Sequence, residues 1–220
     1  LRALRSGRLE LAMELLHQGA DPDAQDQEGS GFEAALGNCR DNSLTMAQLL
    51  IDAGADIDRG NERGHTAPRI AFDRCRDALP FLLERGADPT VPDRRGDVVL
   101  HYLPSAREES VEALLDALLA AGADIDQQNR SGQTPLLRAV YRPAPRLARA
   151  LLERGADPEL ADRGVSTPLH VLARRPAQAG TAMMLEALLA HGGELERPDG
   201  QGETALAVAI ENGAAETVRL

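Results

Sequence analysis

The chain has 220 residues, 24 of them basic and 35 acidic, for a formal net charge of −11. That balance argues against a general nucleic-acid binder, whose affinity rests on neutralising phosphates with positive charge, and it permits a protein partner. Five aromatic residues, Phe32, Phe72, Phe81, Tyr102 and Tyr141, and no Trp are too few for one large core of the usual kind, whereas abundant Ala, Leu and Gly suit thin layers of small helices.

Every basic residue is Arg. With the excess of Ala, Gly, Leu, Asp and Pro this resembles a GC-rich coding bias and points to a bacterial source. No apolar run reaches about 18 residues and no charged-then-apolar leader opens the chain, so the reading favours a soluble, cytoplasmic segment without membrane insertion. The two cysteines, Cys39 and Cys75, do not make a disulfide scaffold.

An internal repeat organises the sequence. The triplet Gly-Ala-Asp recurs at 19–21, 54–56, 86–88, 122–124 and 155–157, with a degenerate Gly-Gly-Glu at 192–194. An apolar pair precedes each copy: Leu15-Leu16, Leu49-Leu50, Leu82-Leu83, Leu118-Leu119, Leu151-Leu152 and Leu188-Leu189. After each copy a polar stretch leads to the start of a new apolar pattern, at Ser30, Thr66, Val98, Thr134, Thr167 and Thr204. The step from the triplet glycine to this start is 12 residues in five of six cases and 11 in the first.

In chain order this predicts a partial first repeat over 1–29, five full repeats, and a partial last one from Thr204. The constant segment reads as a hairpin-like finger. The variable segment holds two helices and their connection, where extra residues can loop out. Pro104, Pro143, Pro145 and Pro176 fall between the two apolar halves, where a helix ends or begins. Pro80 falls near the second helix of its repeat and predicts a short or kinked one. Thr or Ser ahead of the first helix can cap orphan amides, and the triplet glycine permits the left-handed turn that stops the second.

With these residues in view the sequence resembles the ankyrin-repeat family. Asp162, Thr167-Pro168-Leu169-His170, Leu188-Leu189 and the Gly-Ala-Asp series carry the likeness, which spans essentially the whole chain. The resemblance implies an all-α repeat solenoid of antiparallel helix pairs with protruding fingers, one domain over 1–220, binding through fingertips and the concave face of the first helices, and no catalytic site. The chain departs from the pattern at Ser30-Gly31-Phe32-Glu33, at Pro68, one position late, and at Gly164, one position early in its finger. It begins inside a first helix and stops inside a second, which predicts a piece of a longer protein.

Chemistry beyond binding finds little support. His101 and His170 occupy the same repeat position, and the resemblance gives that His a structural hydrogen bond between repeats. Cys39 and Cys75 each lie nine residues after their repeat start, so they belong near the ends of neighbouring first helices. Helices pack about 8–10 Å apart while a disulfide needs Cα atoms within about 7 Å, so two free, partly buried thiols are expected. The pairs Asp21/Asp23, Asp56/Asp58 and Asp124/Asp126 could suggest calcium, but each lacks the other ligands of a closed loop and reads better as turn chemistry. Ser131 and Ser166 lie in fingers without a nucleophile turn. No metal, cofactor or catalytic residue is assigned.

Candidate binding residues fall on the expected concave face. Four residues after each start lie Ala34, Ile70, Tyr102, Arg138, Val171 and Val208; seven and eight after lie Asp73-Arg74, Tyr141-Arg142, Arg174-Arg175 and Glu211-Asn212. Fingertips add Arg63, Arg94, Arg95, Arg130 and Arg163. Arg and Tyr are enriched at binding hot spots, and Arg grips carboxylates in bidentate fashion. The residues assigned to a partner are Arg74, Tyr102, Arg138, Tyr141, Arg142, Arg174, Arg175, Arg94 and Arg130, and the partner segment expected is acidic or aromatic. The alternative is a rigid spacer for a separate domain; a divergent enzyme is the weaker third reading.

Overall fold

The structure, a computed structural model, describes residues 1–37, 39, 41–176 and 179–212. The chain forms two compact units, Leu1–Arg94 with Ala120–Ala123, and Arg95–Leu119 with Asp124–Leu220.

Unit 1 holds α1 (Arg2–Arg5), α2 (Leu9–His17), β1 (Gln25–Asp26), β2 (Gly29–Ser30), α3 (Gly31–Leu36), α4 (Ser43–Asp52), α5 (Ala67–Arg74) and α6 (Ala78–Glu84). The first helices α1, α3 and α5 pack side by side, and each is backed by the second helix of its own repeat. Leu36, Leu50, Phe72, Leu79 and Leu82 lose essentially all contact with solvent between the two rows. One repeat cannot bury such a face alone, so neighbours share a core. Pro80 sits in the first turn of α6, which is only 7 residues long, the short helix expected there.

Unit 2 begins with a 3₁₀ segment, Val99–Ser105, followed by α7 (Val111–Ala120), α8 (Pro135–Tyr141), α9 (Pro145–Glu153), α10 (Pro168–Ala173), α11 (Thr181–Ala190) and α12 (Ala205–Glu211). The 3₁₀ segment, α8, α10 and α12 form the inner row, and α9 packs on α11 in the outer one. The 3₁₀ form departs from the expected α-helix. Val98 has no side-chain oxygen with which to cap, and Pro104, inside the segment, lacks the N–H an α-helix would use there. Elsewhere the starts behave as caps: Thr134 Oγ1 accepts from the Leu137 amide at 3.1 Å, and Ser30 and Glu33 exchange side-chain and backbone bonds at 3.3 and 3.0 Å. Residues 213–220, where a last second helix is expected, lie outside the described residues.

The Leu-Leu-x-x-Gly-Ala signature closes the second helices by one device. The Ala87 amide donates to the Leu82 carbonyl at 3.1 Å and the Gly86 amide to the Leu83 carbonyl at 3.0 Å; Ala156–Leu151 and Gly155–Leu152 repeat this in unit 2, each at 3.0 Å. These are the two bonds of a Schellman cap, which needs a left-handed residue. Gly155 supplies it at φ +91°, and a Cβ there would meet nothing within 4 Å. The glycine is therefore demanded by backbone angle, not by space.

The fingers turn on Asx residues. β1 and β2 pair antiparallel in unit 1, and in unit 2 the Asp162 amide donates to the Ser166 carbonyl at 3.2 Å. The left-handed finger position is Gly64, Gly96, Gly132 and Gly202 in four fingers, but Val165 takes it at φ +57° in the finger where the glycine comes one residue early.

The cysteines overturn an expectation: Cys39 and Cys75 form a disulfide, with Cα atoms 4.8 Å apart. The helix-spacing argument fails because neither residue is inside a helix. Cys75 is the residue that ends α5, and Cys39 lies beyond α3 at φ +40°, so both backbones have left the helix axes.

Candidate protein-binding face

The first-helix positions chosen from the sequence divide sharply. Four residues after the start, Ala34, Ile70, Val171 and Val208 are buried in the core, so this position presents a side chain outward only at Tyr102 and Arg138. The later positions are more open. In unit 1, Arg74 is exposed at the end of α5 with its guanidinium 3.9 Å from Glu33, and Arg94 is an exposed fingertip. In unit 2, Arg142 and Arg130 are exposed, the first at the end of α8, the second at a fingertip.

The remaining assigned residues are tied to the fingers or, for Arg175, to the end of α8. Asp162 Oδ1 accepts the amides of Gly164 and Ser166 at 2.9 and 3.1 Å, which shapes the finger, while its Oδ2 accepts the Tyr141 phenol at 2.8 Å. Burial, and then the bond to this carboxylate, push the Tyr141 phenol up to about 12. Asp199 does the same for the next finger, taking the Gln201 and Glu203 amides at 2.8 and 3.1 Å and the Arg174 guanidinium. Arg174 also donates to Ser166 Oγ at 2.6 Å, and Arg175 to the Tyr141 carbonyl at 2.6 Å. Unit 1 contains the same arrangement: Asp26 accepts from the Glu28 amide at 2.9 Å and pairs with Arg5 of α1, which chiefly holds its carboxyl down to about 2. Tyr102 reaches Asp97 at 3.5 Å and Arg138 reaches Gln133 at 3.5 Å, both weaker contacts.

The two histidines and the Asp pairs make structural bonds. His101 Nδ1 accepts from the Val98 amide at 3.1 Å and its Nε2 meets the Gln133 carbonyl at 2.9 Å. His170 Nε2 meets the Glu203 carbonyl at 3.1 Å. Both thus bridge consecutive repeats as expected. The Asp pairs accept backbone amides: Asp126 Oδ1 takes Asp157 at 3.0 Å and Asp58 Oδ1 takes Asp88 at 2.8 Å, each joining one repeat to the next. Sequence reasoning recognised the turn role but not this step between repeats, although the matching 31- and 30-residue separations carry the signal.

Family models described as ankyrin repeats match residues 1–93 and 118–172. The chain belongs to the ankyrin-repeat family. The ankyrin repeat domain of Bcl-3, described as a unique member of the IkappaB protein family, superposes with a TM-score of 0.81 at 23% identity over 99% of this chain and 96% of that one. An ankyrin repeat domain from Acinetobacter baumannii gives 0.74 at 24% identity over 86% and 93%. The fold is an all-α ankyrin-repeat solenoid. Relatives in sequence include the E3 ubiquitin-protein ligase KEG of Arabidopsis thaliana, 31% identical over 59% of this chain and 8% of that protein, human ankyrin repeat domain-containing protein 63, 30% over 44% and 26%, and phosphocholine transferase AnkX of Legionella pneumophila, 30% over 44% and 11%. This ankyrin chain thus spans a small part of these relatives. Ankyrin repeats are in general protein–protein interaction modules, and the fold is typically non-enzymatic. Among the described residues no helix is long and apolar enough to cross a membrane.

Proposed function

We propose that this chain is a non-catalytic module that binds another protein through the first-helix ends and fingertips of its repeats, with Arg142 and Arg130 as the principal contacts on unit 2; on unit 1, taken by itself, the corresponding contacts are Arg74 and Arg94. The observation that carries this reading is the exposure of Arg142 and Arg130, neither of which has a side-chain partner among the described residues, in a chain of net charge −11. Free guanidiniums against an acidic background favour an acidic or aromatic partner segment, by bidentate pairing and stacking. Tyr141 and Arg174, held by bonds to the fingers, Arg175, held on the Tyr141 carbonyl, and Tyr102 and Arg138 supply a pre-set surface. Such preorganisation lowers the ordering cost of association.

Immobilised chain is used to capture partners from a lysate of its source organism, with an Arg130→Glu/Arg142→Glu variant in parallel. A protein retained by the wild type and lost by the variant, with helicity unchanged, supports the face. Equal retention by both removes it.

A further inference from the structure

The chain has two cysteines in 220 residues, and they are bonded to each other across consecutive repeats, 36 residues apart. The bond joins the C-terminal ends of two adjacent first helices, α3 and α5. Its two ends differ in environment. Cys75 is 4% exposed and its amide donates to the Ala71 carbonyl at 2.8 Å. Cys39 is exposed, so an external thiolate meets the bond from the Cys39 side and Cys75 is the sulfur that leaves.

The side chains next to Cys75 in sequence are directed to other groups of α3 and α5. Arg74 and Arg76 flank Cys75 in sequence. The Arg74 guanidinium extends toward the other repeat, with Nη1 3.6 Å from where a Cβ on Gly37 would stand and Nη2 3.9 Å from Glu33. Arg76 folds back on Phe72, its Nε donating to the Phe72 carbonyl at 3.1 Å and its guanidinium 4.8 Å from the ring centre. Exchange depends on access of the attacking thiolate to a sulfur, and the exposure of Cys39 provides it.

Backbone conformation supplies something for the bond to hold. Cys39 lies at φ +40°, a region costly to a residue with a Cβ and kept only where the surroundings enforce it. The core of unit 1, built on Leu36, Phe72, Leu79 and Leu82, takes in Cys75 at its edge, whereas Cys39 stands outside it.

We propose that Cys39–Cys75 is a thiol–disulfide exchange site, opened by a dithiol reductant, that locks or releases the ends of α3 and α5. One thiolate of the dithiol attacks Cys39 Sγ, the S–S bond breaks, and Cys75 departs as a thiolate that takes a proton. The second thiol of the reductant then attacks its own sulfur in the mixed disulfide and frees Cys39. The protein gains two electrons and two protons, and the dithiol leaves as a disulfide. The oxidised form fixes the helix ends that carry Arg74 and face Glu33; the reduced form lets Cys39 leave its left-handed conformation. This assignment is independent of the proposed partner.

The test uses the whole chain, oxidised, in native buffer. Dithiothreitol is added, thiols are trapped with iodoacetamide, and intact mass, far-ultraviolet circular dichroism and amide exchange are read together. The expected result is no label before reduction and two labels after it, with helicity kept. The Cys75 amide and its neighbours at the ends of α3 and α5 then exchange severalfold faster while α9 is unchanged, and oxidised glutathione restores the first state. A Cys39→Ser/Cys75→Ser variant exchanges like the reduced protein. Labelling without reductant, labelling only in denaturant, loss of helicity on reduction, or a double variant that exchanges as slowly as the oxidised chain would each overturn the proposal.

Discussion

The phenol of Tyr141 donates to Asp162 Oδ2 at 2.8 Å while the other oxygen of the same carboxylate accepts two finger amides. One aspartate thus fastens a finger to the first helix of the preceding repeat. Tyr141→Phe removes the hydroxyl and leaves Asp162 half satisfied. We expect a loss of about 1–2 kcal/mol in urea unfolding. In a Tyr102→Phe background the remaining phenol ionises near 12 in the folded chain, read as absorbance at about 295 nm, against about 10 when unfolded. Because the folded pKa is raised, this group's stabilisation is present below the unfolded value and is lost as pH rises toward the folded one.

The finger of repeat six carries a removable strain. Val165 holds φ +57° and is half exposed, so its side chain contributes little packing. Val165→Gly is expected to stabilise the chain by up to about 1 kcal/mol, since relief of the left-handed penalty outweighs the entropy of glycine. Gly132→Ala, at φ +74° with the Arg163 amide nitrogen 2.8 Å from the new Cβ, is expected to cost more than Gly155→Ala, where angle alone is at stake. Thermal unfolding of the three variants ranks them.

Acid weakens the bridge that His101 makes. Burial lowers its pKa below the ordinary 6.5, while the same ring in the unfolded chain is free to protonate. His65, lowered first by burial as well, acts in the same direction. The unfolded state therefore binds more protons just below that pH, and stability falls as pH drops from 7.5 toward 5.5. Urea midpoints across this window measure the slope, and imidazole resonances of the folded protein should place His101 below 6.5.

Thr134 caps α8 through the Leu137 amide at 3.1 Å and is fully buried. Thr134→Ala should cost about 1–2 kcal/mol, and Thr134→Ser distinctly less, because the oxygen rather than the methyl makes the bond.

Much of the fold was legible because a repeat states its rule several times. Gly54, Gly86 and Gly155 end their helices by the same pair of bonds, Gly122 shares their left-handed φ, and the 12-residue step to Thr66, Val98, Thr134 and Thr167 fixes each finger. The binding face was less legible, because a first-helix position points outward or inward according to what its neighbours offer. Arg138 and Val171 share a register, yet Val171 is buried at 3% and Arg138 reaches the finger. Arg174 was chosen as a contact, whereas its pairing with Asp199 depends on a finger 25 residues away. The disulfide escaped for a related reason: spacing between helices says nothing about the path of the chain after a helix ends.

The most direct measurement is the affinity of a captured partner for the wild-type chain and for Arg130→Glu/Arg142→Glu, titrated at two salt concentrations. The account predicts a loss of at least about 10-fold in the variant, equivalent to about 1.4 kcal/mol, with unchanged unfolding, and weaker wild-type binding at higher salt. Equal affinity of the two chains would contradict it and place the interface on another surface.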